Sequence, residues 1–329
     1  MNQYTYYKTV YEKELLKINK RLKSIFKNKS PKSLYEPSDY IAKSGGKKLR
    51  PFLVLVSAKA VGAKFSDAYN AAIAVELLHN FTLVHDDIMD NAEKRRGRAT
   101  VHSKYDLSTA ILTGDNLIAY SYKMLVKDCK TDCRPVVNTF TKGIIEVCEG
   151  QSLDELYESE TFVSLKDYKK MIYKKTAALA GMSCSVGAQI GGGSPEEVKA
   201  LFNYGKYLGM AFQIKDDLLD VFADESKFGK IVGGDLLEGK KTYLLLKAIR
   251  KAEGEDHKKL LNVIKNKGIK KTQINYYKNL YVKLNVAKDA QVEIRNYTGK
   301  ALKSLNIIKN EEAKNILVWL AKSMGERNS

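Results

Sequence analysis

Proline is scarce in this chain, five in 329 residues, tryptophan occurs once and cysteine only four times. With so little proline and few alternating Val/Ile/Thr segments, the sequence lacks the punctuation that a many-stranded fold requires, and helix is the default expectation. The cysteines, Cys129, Cys133, Cys148 and Cys184, stand at spacings that fit neither a CxxC metal site nor a regular disulfide framework, so they are expected to be reduced thiols. No apolar run approaches the roughly 18 residues that cross a bilayer. The opening MNQYTYYKTVYEKELLK mixes charge and tyrosine where a signal peptide would be apolar, and a cytoplasmic location is expected. Acidic residues are also in short supply, 38 against 56 basic, a formal net charge of +18. Only nine of the basic groups are arginine and 47 are lysine. Lysine spread over helix faces is usually solvated surface, and since a nucleic-acid reader favours arginine interleaved with aromatics the charge supports nucleic-acid binding only weakly, with a phosphate-bearing small molecule equally open.

What the sequence has in abundance is helical period. Val10, Leu15, Ile18, Leu22, Ile25 and Phe26 recur three to five residues apart among lysines, the apolar stripe of an amphipathic helix. The same period returns at 68–90, 107–126, 135–157, 166–190, 196–222, 257–266 and 311–322, with polar breaks such as Asn28-Lys29-Ser30-Pro31, Gly191-Gly192-Gly193 and Gly233-Gly234-Asp235 between. Ser194-Pro195-Glu196-Glu197 joins an N-cap hydroxyl, a first-turn proline and a carboxylate three residues after the cap, so a helix is predicted to start there. The 44% hydrophobic content is enough for an ordinary core. With no repeat, low-complexity tract or linker, one large helical domain over 1–329 is expected.

The chemistry is concentrated in two acidic clusters. Asp86-Asp87-Ile88-Met89-Asp90 ends a long apolar stretch, and the same i, i+1, i+4 pattern returns 130 residues later as Asp216-Asp217-Leu218-Leu219-Asp220. Residues four apart share a helix face, so each cluster aligns two carboxylates with a third beside them. Like charges about 4 Å apart repel by about 1 kcal/mol in water and about 4 kcal/mol at an effective dielectric of 20, so cations must offset them. An all-oxygen donor set points to Mg²⁺ shared with phosphates and water, whereas zinc would call for His or Cys at fixed offsets. Both clusters are embedded in Leu, Ile and Met, and if their helices face each other they make one pocket.

Basic groups accompany these carboxylates. Gly45-Gly46-Lys47-Lys48-Leu49-Arg50-Pro51 places two glycines before a basic pair and a proline suited to a first helical turn, where amides and cations can converge on an anion. Glu93-Lys94-Arg95-Arg96-Gly97-Arg98 follows the first acidic cluster directly, and arginine forks match diphosphate oxygens. Lys175-Thr176, Lys230 and Gly239-Lys240-Lys241-Thr242 add further cations. No Ser, Cys or Lys nucleophile with a partnered base is evident.

In this order GGKKLRP, LLHNFTLVHDDIMD, RRGRATVH, the Lys175-Thr176 pair, FQIKDDLLD and KIVGGDLLEGKKT resemble the trans-isoprenyl diphosphate synthases, the head-to-tail prenyltransferases. The match spans roughly 40–242, and neither the N-terminal helix nor 243–329 carries a signature. The resemblance implies the isoprenoid synthase fold, an all-α bundle around a deep central cavity, built as a homodimer. It implies condensation of an allylic diphosphate with isopentenyl diphosphate, without nucleic acid or a transmembrane segment. Asp86, Asp90, Asp216 and Asp220 would bind Mg²⁺, three ions per site, with Asp87 and Asp217 supporting. Arg95, Lys175, Thr176, Gln213, Lys230 and Lys240 would hold the allylic diphosphate. Lys47, Arg50, His79 and Arg96 would hold isopentenyl diphosphate, and Phe81, Thr82, Phe212 and Leu218 would keep water from the cation. His79 stands seven residues before Asp86, which is what separates it from an ordinary buried histidine.

Product length would be set by side chains upstream of the first acidic cluster. Phe81 and Thr82 there resemble the archaeal-type geranylgeranyl diphosphate synthases, which implies a C20 product. On an ideal helix Thr82 lies about 40° from Asp86 and Phe81 about 140° away, so simple geometry favours Thr82 as the pocket-facing residue while the resemblance favours Phe81. The alternatives are another chain length, farnesyl or longer, or a non-catalytic subunit of a heteromeric synthase. A terpene cyclase would leave GGKKLRP and RRGR without a purpose, and a nucleic-acid-binding helical protein would not account for the acidic clusters.

Overall fold

The periodic segments become helices nearly position for position. A computed structural model describes residues 3–223 and 232–326. In order these form α1 (Gln3–Leu22), α2 (Lys32–Ala42), α3 (Leu49–Ala60), α4 (Tyr69–Met89), α5 (Val101–Lys104), α6 (Leu107–Leu125), α7 (Arg134–Ser159) and α8 (Leu165–Ile172). They continue as α9 (Ala178–Ile190), α10 (Pro195–Phe222), α11 (Gly234–Leu237), α12 (Tyr243–Lys251), α13 (Gly254–Lys265), α14 (Ile274–Lys283), α15 (Val286–Ser304) and α16 (Glu311–Glu326). The fold class is all-α. Among the described residues no helix is long and apolar enough to cross a membrane, and all four cysteines are free thiols. The predicted start of α10 is present in atomic detail. Glu197 N donates to Ser194 Oγ at 3.3 Å and Ser194 N donates to Glu197 Oε2 at 2.9 Å, which satisfies two of the amide groups that a helix start leaves without partners.

Two local features depart from the helical reading. The segment after the first acidic cluster forms a small antiparallel hairpin, β1 (Lys94–Arg95) and β2 (Arg98–Ala99). Its two-residue turn places Arg96 at φ 53° and Gly97 at φ 75°, the left-handed pair that a tight hairpin turn needs. The predicted 166–190 helix is also not continuous, because Tyr173–Ala177 widens into a π-helical turn. Both neighbours of that turn approach through glycine. A Cβ on Gly150 would stand 2.6 Å from Lys175 Cα, and one on Gly209 would stand 2.6 Å from Ala177 Cα. The extra backbone width is accommodated where the facing helices carry no side chain.

The chain divides into two compact units. One comprises the chain up to Lys142 with Met182–Phe202 and Ile307–Trp319, the other Gly143–Gly181, Asn203–Asn306 and the chain from Leu320. In the first, α4 is buried on all sides from Ala71 to Leu78, apolar throughout except for Glu76. It lies along α6, and Gly187 of α9 rests on the Val54 carbonyl of α3, where any side chain would collide. In the second, Tyr168, Ile172, Ile214, Leu244, Leu245, Leu260, Tyr281, Val286 and Ala290 form one apolar core drawn from α8, α10, α12, α13, α14 and α15.

Candidate active site

The first acidic cluster occupies the last turn of α4, in the first unit. Its three carboxylates do not share one environment. Asp87 is buried, Asp86 half-buried and Asp90 exposed. Arg95 of β1 donates its Nε to Asp87 Oδ1 at 2.6 Å. Burial raises the Asp87 carboxyl above its ordinary value, and the Arg95 charge pulls it partly back. The hairpin is therefore tied to the helix through the middle aspartate, while the outer pair, one turn apart, remains accessible.

GGKKLRP forms the turn into α3. Lys47 is exposed, and its carbonyl accepts a hydrogen bond from the Tyr11 hydroxyl. Arg50 is half-buried, with Nη1 3.2 Å from His79 Nε2 on α4. The Arg96 guanidinium rests on the Gly45 carbonyl, and a side chain at Gly46 would run into it. Among the residues assigned to isopentenyl diphosphate, Arg50 is thus paired with His79, and Arg96 is seated on the glycine turn that precedes Lys47. Burial, then the charges of Arg50, Arg96, Lys48 and Arg95, hold the His79 ring well below its usual range, so it is neutral at neutral pH. Arg50 Nε and His79 Nδ1 are buried without a protein partner, which leaves donors for an anion. Upstream on α4, the Phe81 ring meets the His85 ring edge-on at 4.7 Å, and the His85 ring fills the space that Gly114 of α6 leaves. Thr82 donates its hydroxyl to the His79 carbonyl at 2.8 Å.

The second acidic cluster, on α10 in the second unit, repeats the layout. Asp217 is buried, Asp220 half-buried and Asp216 exposed. The Asp217 carboxylate accepts from Tyr168 Oη at 2.5 Å, Tyr243 N at 2.9 Å and Gln213 Nε2 at 3.2 Å. Gln213 Oε1 in turn accepts from Thr176 Oγ1 at 3.0 Å, so two predicted diphosphate ligands belong to one hydrogen-bonded chain. Burial outweighs those donors and pushes the Asp217 carboxyl up to about 6. Asp220 accepts from Asp235 N at 3.0 Å. Asp235 itself is pushed up to about 8, first by burial and then by the Asp220 and Asp217 charges. Lys175, on the π-helical turn, pairs with Asp154 of α7, and Lys240 pairs with Glu238 at 2.8 Å. Phe212 and Leu218 are half-buried, and Leu218 packs against the apolar core of this unit. Lys230 lies outside the described residues.

The donor set accommodates Mg²⁺. Among the described residues no three or more His, Cys, Asp or Glu side chains form a ready-made cage, and Mg²⁺ does not require one, since it takes one or two carboxylates and completes its shell with phosphate oxygens and water. Each cluster leaves its two outer carboxylates, one turn apart, exposed or half-buried and buries the middle one against protein donors, while Asp220 also accepts from Asp235 N. The sequence motifs contain Lys48 and Asp235 without distinguishing them from their neighbours, and Glu76, Asp154 and Tyr168 were missed. Glu76 left a signal, a lone carboxylate inside the apolar run AIAVELL; the others look like ordinary surface or core residues.

Residues 31–281 match the family model for polyprenyl synthetase. The chain is 38% identical over 316 residues to the geranylgeranyl pyrophosphate synthase of Geoglobus acetivorans, covering 94% of this chain and 96% of that one. The crystal structure of the geranylgeranyl pyrophosphate synthetase from Pyrococcus horikoshii Ot3 superposes with a TM-score of 0.91 at 35% identity, covering 99% of this chain and 100% of that one. The polyprenyl synthase from Caulobacter crescentus CB15, complexed with calcium and isoprenyl diphosphate, gives a TM-score of 0.88 at 25% identity over 99% and 98% of the two chains.

Proposed function

We propose, from the premise that this chain belongs to the polyprenyl synthetase family, that it is a prenyltransferase joining an allylic diphosphate to isopentenyl diphosphate to give geranylgeranyl diphosphate. The observation that carries the reading is the repeated layout of the acidic clusters, with a buried, hydrogen-bonded middle aspartate and two exposed or half-buried outer ones in each. Asp86, Asp90, Asp216 and Asp220 would hold the Mg²⁺ ions, three by the family resemblance, that meet the allylic diphosphate, and Asp87 and Asp217 fix the turns that carry them. When bound, the metal neutralises charge developing on the diphosphate oxygens as the allylic C–O bond breaks. Arg95, Lys175, Thr176, Gln213, Lys230 and Lys240 hold the same diphosphate and spread its growing charge. Lys47, Arg50 and Arg96 take the isopentenyl diphosphate, and neutral His79 adds a hydrogen bond without adding charge. The isopentenyl double bond then attacks the allylic cation, a C–C bond forms, and the adduct loses a proton to the released diphosphate. No covalent enzyme intermediate is needed. Phe81, Thr82, Phe212 and Leu218 exclude water from the cation.

As parts of the same reading, the whole chain acts as one catalytic domain, in the cytoplasm, as a homodimer. The exposed Leu107, Ile111 and Leu112 on α6 support self-association.

Incubating the purified protein with Mg²⁺, radiolabelled isopentenyl diphosphate and C5, C10 or C15 starters tests the reading. Chiefly C20 product is expected; no incorporation rejects the prenyltransferase, and chiefly C30 or longer rejects the assigned length. In the same assay Phe81→Ala is expected to lengthen the main product by at least one C5 unit. The Phe81 ring is half-buried beside His85, and removing it opens the volume of a phenyl ring below the first acidic cluster. An unchanged distribution removes Phe81 from the floor of the product cavity.

A further inference from the structure

Lys48 stands between Lys47 and Arg50 in GGKKLRP, but its surroundings set it apart from both. Its backbone is left-handed, φ 45° and ψ 40°, where it precedes the first turn of α3, a conformation that a lysine adopts only against a steric cost. Its side chain is 2% exposed. Nζ donates to Glu76 Oε1 at 2.8 Å and to the Ser44 carbonyl at 2.9 Å. Glu76, with its side chain 4% exposed, sits in the apolar run of α4 one turn before His79. A lysine and a glutamate so deeply desolvated contribute little net stability, because the cost of removing both ions from water offsets their attraction. What such a pair does supply is position, since neither ion can move without stranding the other.

The neighbouring contacts show what is being positioned. Arg50 reaches His79 at 3.2 Å, Arg96 rests on the Gly45 carbonyl, and Tyr11 holds the Lys47 carbonyl. The turn 44–50 is thereby fastened to α4 at Glu76 and, one helical turn later, at His79. Lys48 and Glu76 are too buried to meet a soluble diphosphate themselves.

We infer that Lys48 and Glu76 are a positioning pair for isopentenyl diphosphate, locking the turn from which Lys47 and Arg50 reach its oxygens. The inference rests on the assignment of Lys47 and Arg50 made above. Steady-state kinetics with each substrate varied in turn test it on Lys48→Met, Lys48→Arg and the double variant Lys48→Met/Glu76→Leu, beside Lys47→Ala and Arg50→Ala. Both Lys48→Met and the double variant are expected to raise KM for isopentenyl diphosphate about tenfold or more, since a displacement of about 1 Å in a binding group costs one to two orders of magnitude. KM for the allylic substrate stays within about twofold and kcat within about threefold, the signature of lost ground-state binding. Lys48→Arg keeps the charge and restores most of the affinity. The double variant removes both charges, so it decides the matter if the stranded Glu76 carboxylate prevents Lys48→Met from folding. A double variant that melts like the parent and keeps the parental KM for isopentenyl diphosphate overturns the inference, as do equal rises in both KM values. Unchanged KM in Lys47→Ala and Arg50→Ala overturns the underlying assignment and the positioning role with it. A rise in those two without one in the double variant overturns the positioning role alone.

Discussion

Asp86→Asn is expected to lower kcat/KM by about 10³-fold, and Asp216→Asn by a similar factor, with neither changing the substrate-free fold. The reason lies in the division of labour within each cluster. The outer aspartates are exposed or half-buried, so an amide of equal size disturbs little packing. What the amide cannot do is bear the negative charge that would ligate Mg²⁺ in the proposed reading. A loss of about 10³ corresponds to about 4 kcal/mol of transition-state stabilisation, a reasonable share for one ligand of a catalytic ion. Product formation at saturating Mg²⁺, together with thermal melting of each variant, measures both halves of the expectation. Chelating divalent ions with EDTA should likewise abolish turnover, and excess Mg²⁺ should restore it. If either variant keeps activity within about tenfold of the parent, that cluster does not serve the ionisation step.

The neighbouring residue should behave in the opposite way. Asp217→Ala is expected to destabilise the protein by about 3 kcal/mol, because it strands the Tyr168 hydroxyl, the Tyr243 amide and the Gln213 amide in a buried site. For a chain of this length that is a fall in Tm of about 4 °C, readable by calorimetry or circular dichroism. Asp216→Asn, one residue earlier, should melt close to the parent. Two adjacent aspartates would then separate cleanly, one by activity and one by stability. If Asp217→Ala melted within a degree or two of the parent, the carboxylate would not be the anchor that its three donors indicate.

Tyr168 and Gln213 show how far the sequence reaches and where it stops. Helix positions were legible because each apolar stripe repeats with the pitch of the helix itself: 107–126 became Leu107–Leu125, and 196–222 became Pro195–Phe222. The acidic clusters were legible for the same reason, since carboxylates four residues apart must align whatever surrounds them. Spacing cannot say which side of a helix its neighbours cover, so the burial of Asp87 and Asp217, the middle member each time, was out of reach. The π-helical turn at Tyr173–Ala177 was equally hidden, because it depends on glycines at 150 and 209 brought alongside by folding.

Phe81 illustrates the same divide. Its phase relative to Asp86 follows from a rotation of about 100° per residue, but its placement beside His85, on the side where Gly114 of α6 leaves room, is a property of the packed pair of helices. Lys47 and Lys48 are identical in composition and adjacent in sequence, yet one is exposed and the other is buried on Glu76. The sequence by itself determined the strongly periodic helices, the cap of α10, the two acidic clusters and the family, because all of these are written in local order and spacing. Only the tertiary structure decided which charges are buried and which are left to meet a ligand, because burial depends on residues distant in sequence that folding packs against each helix.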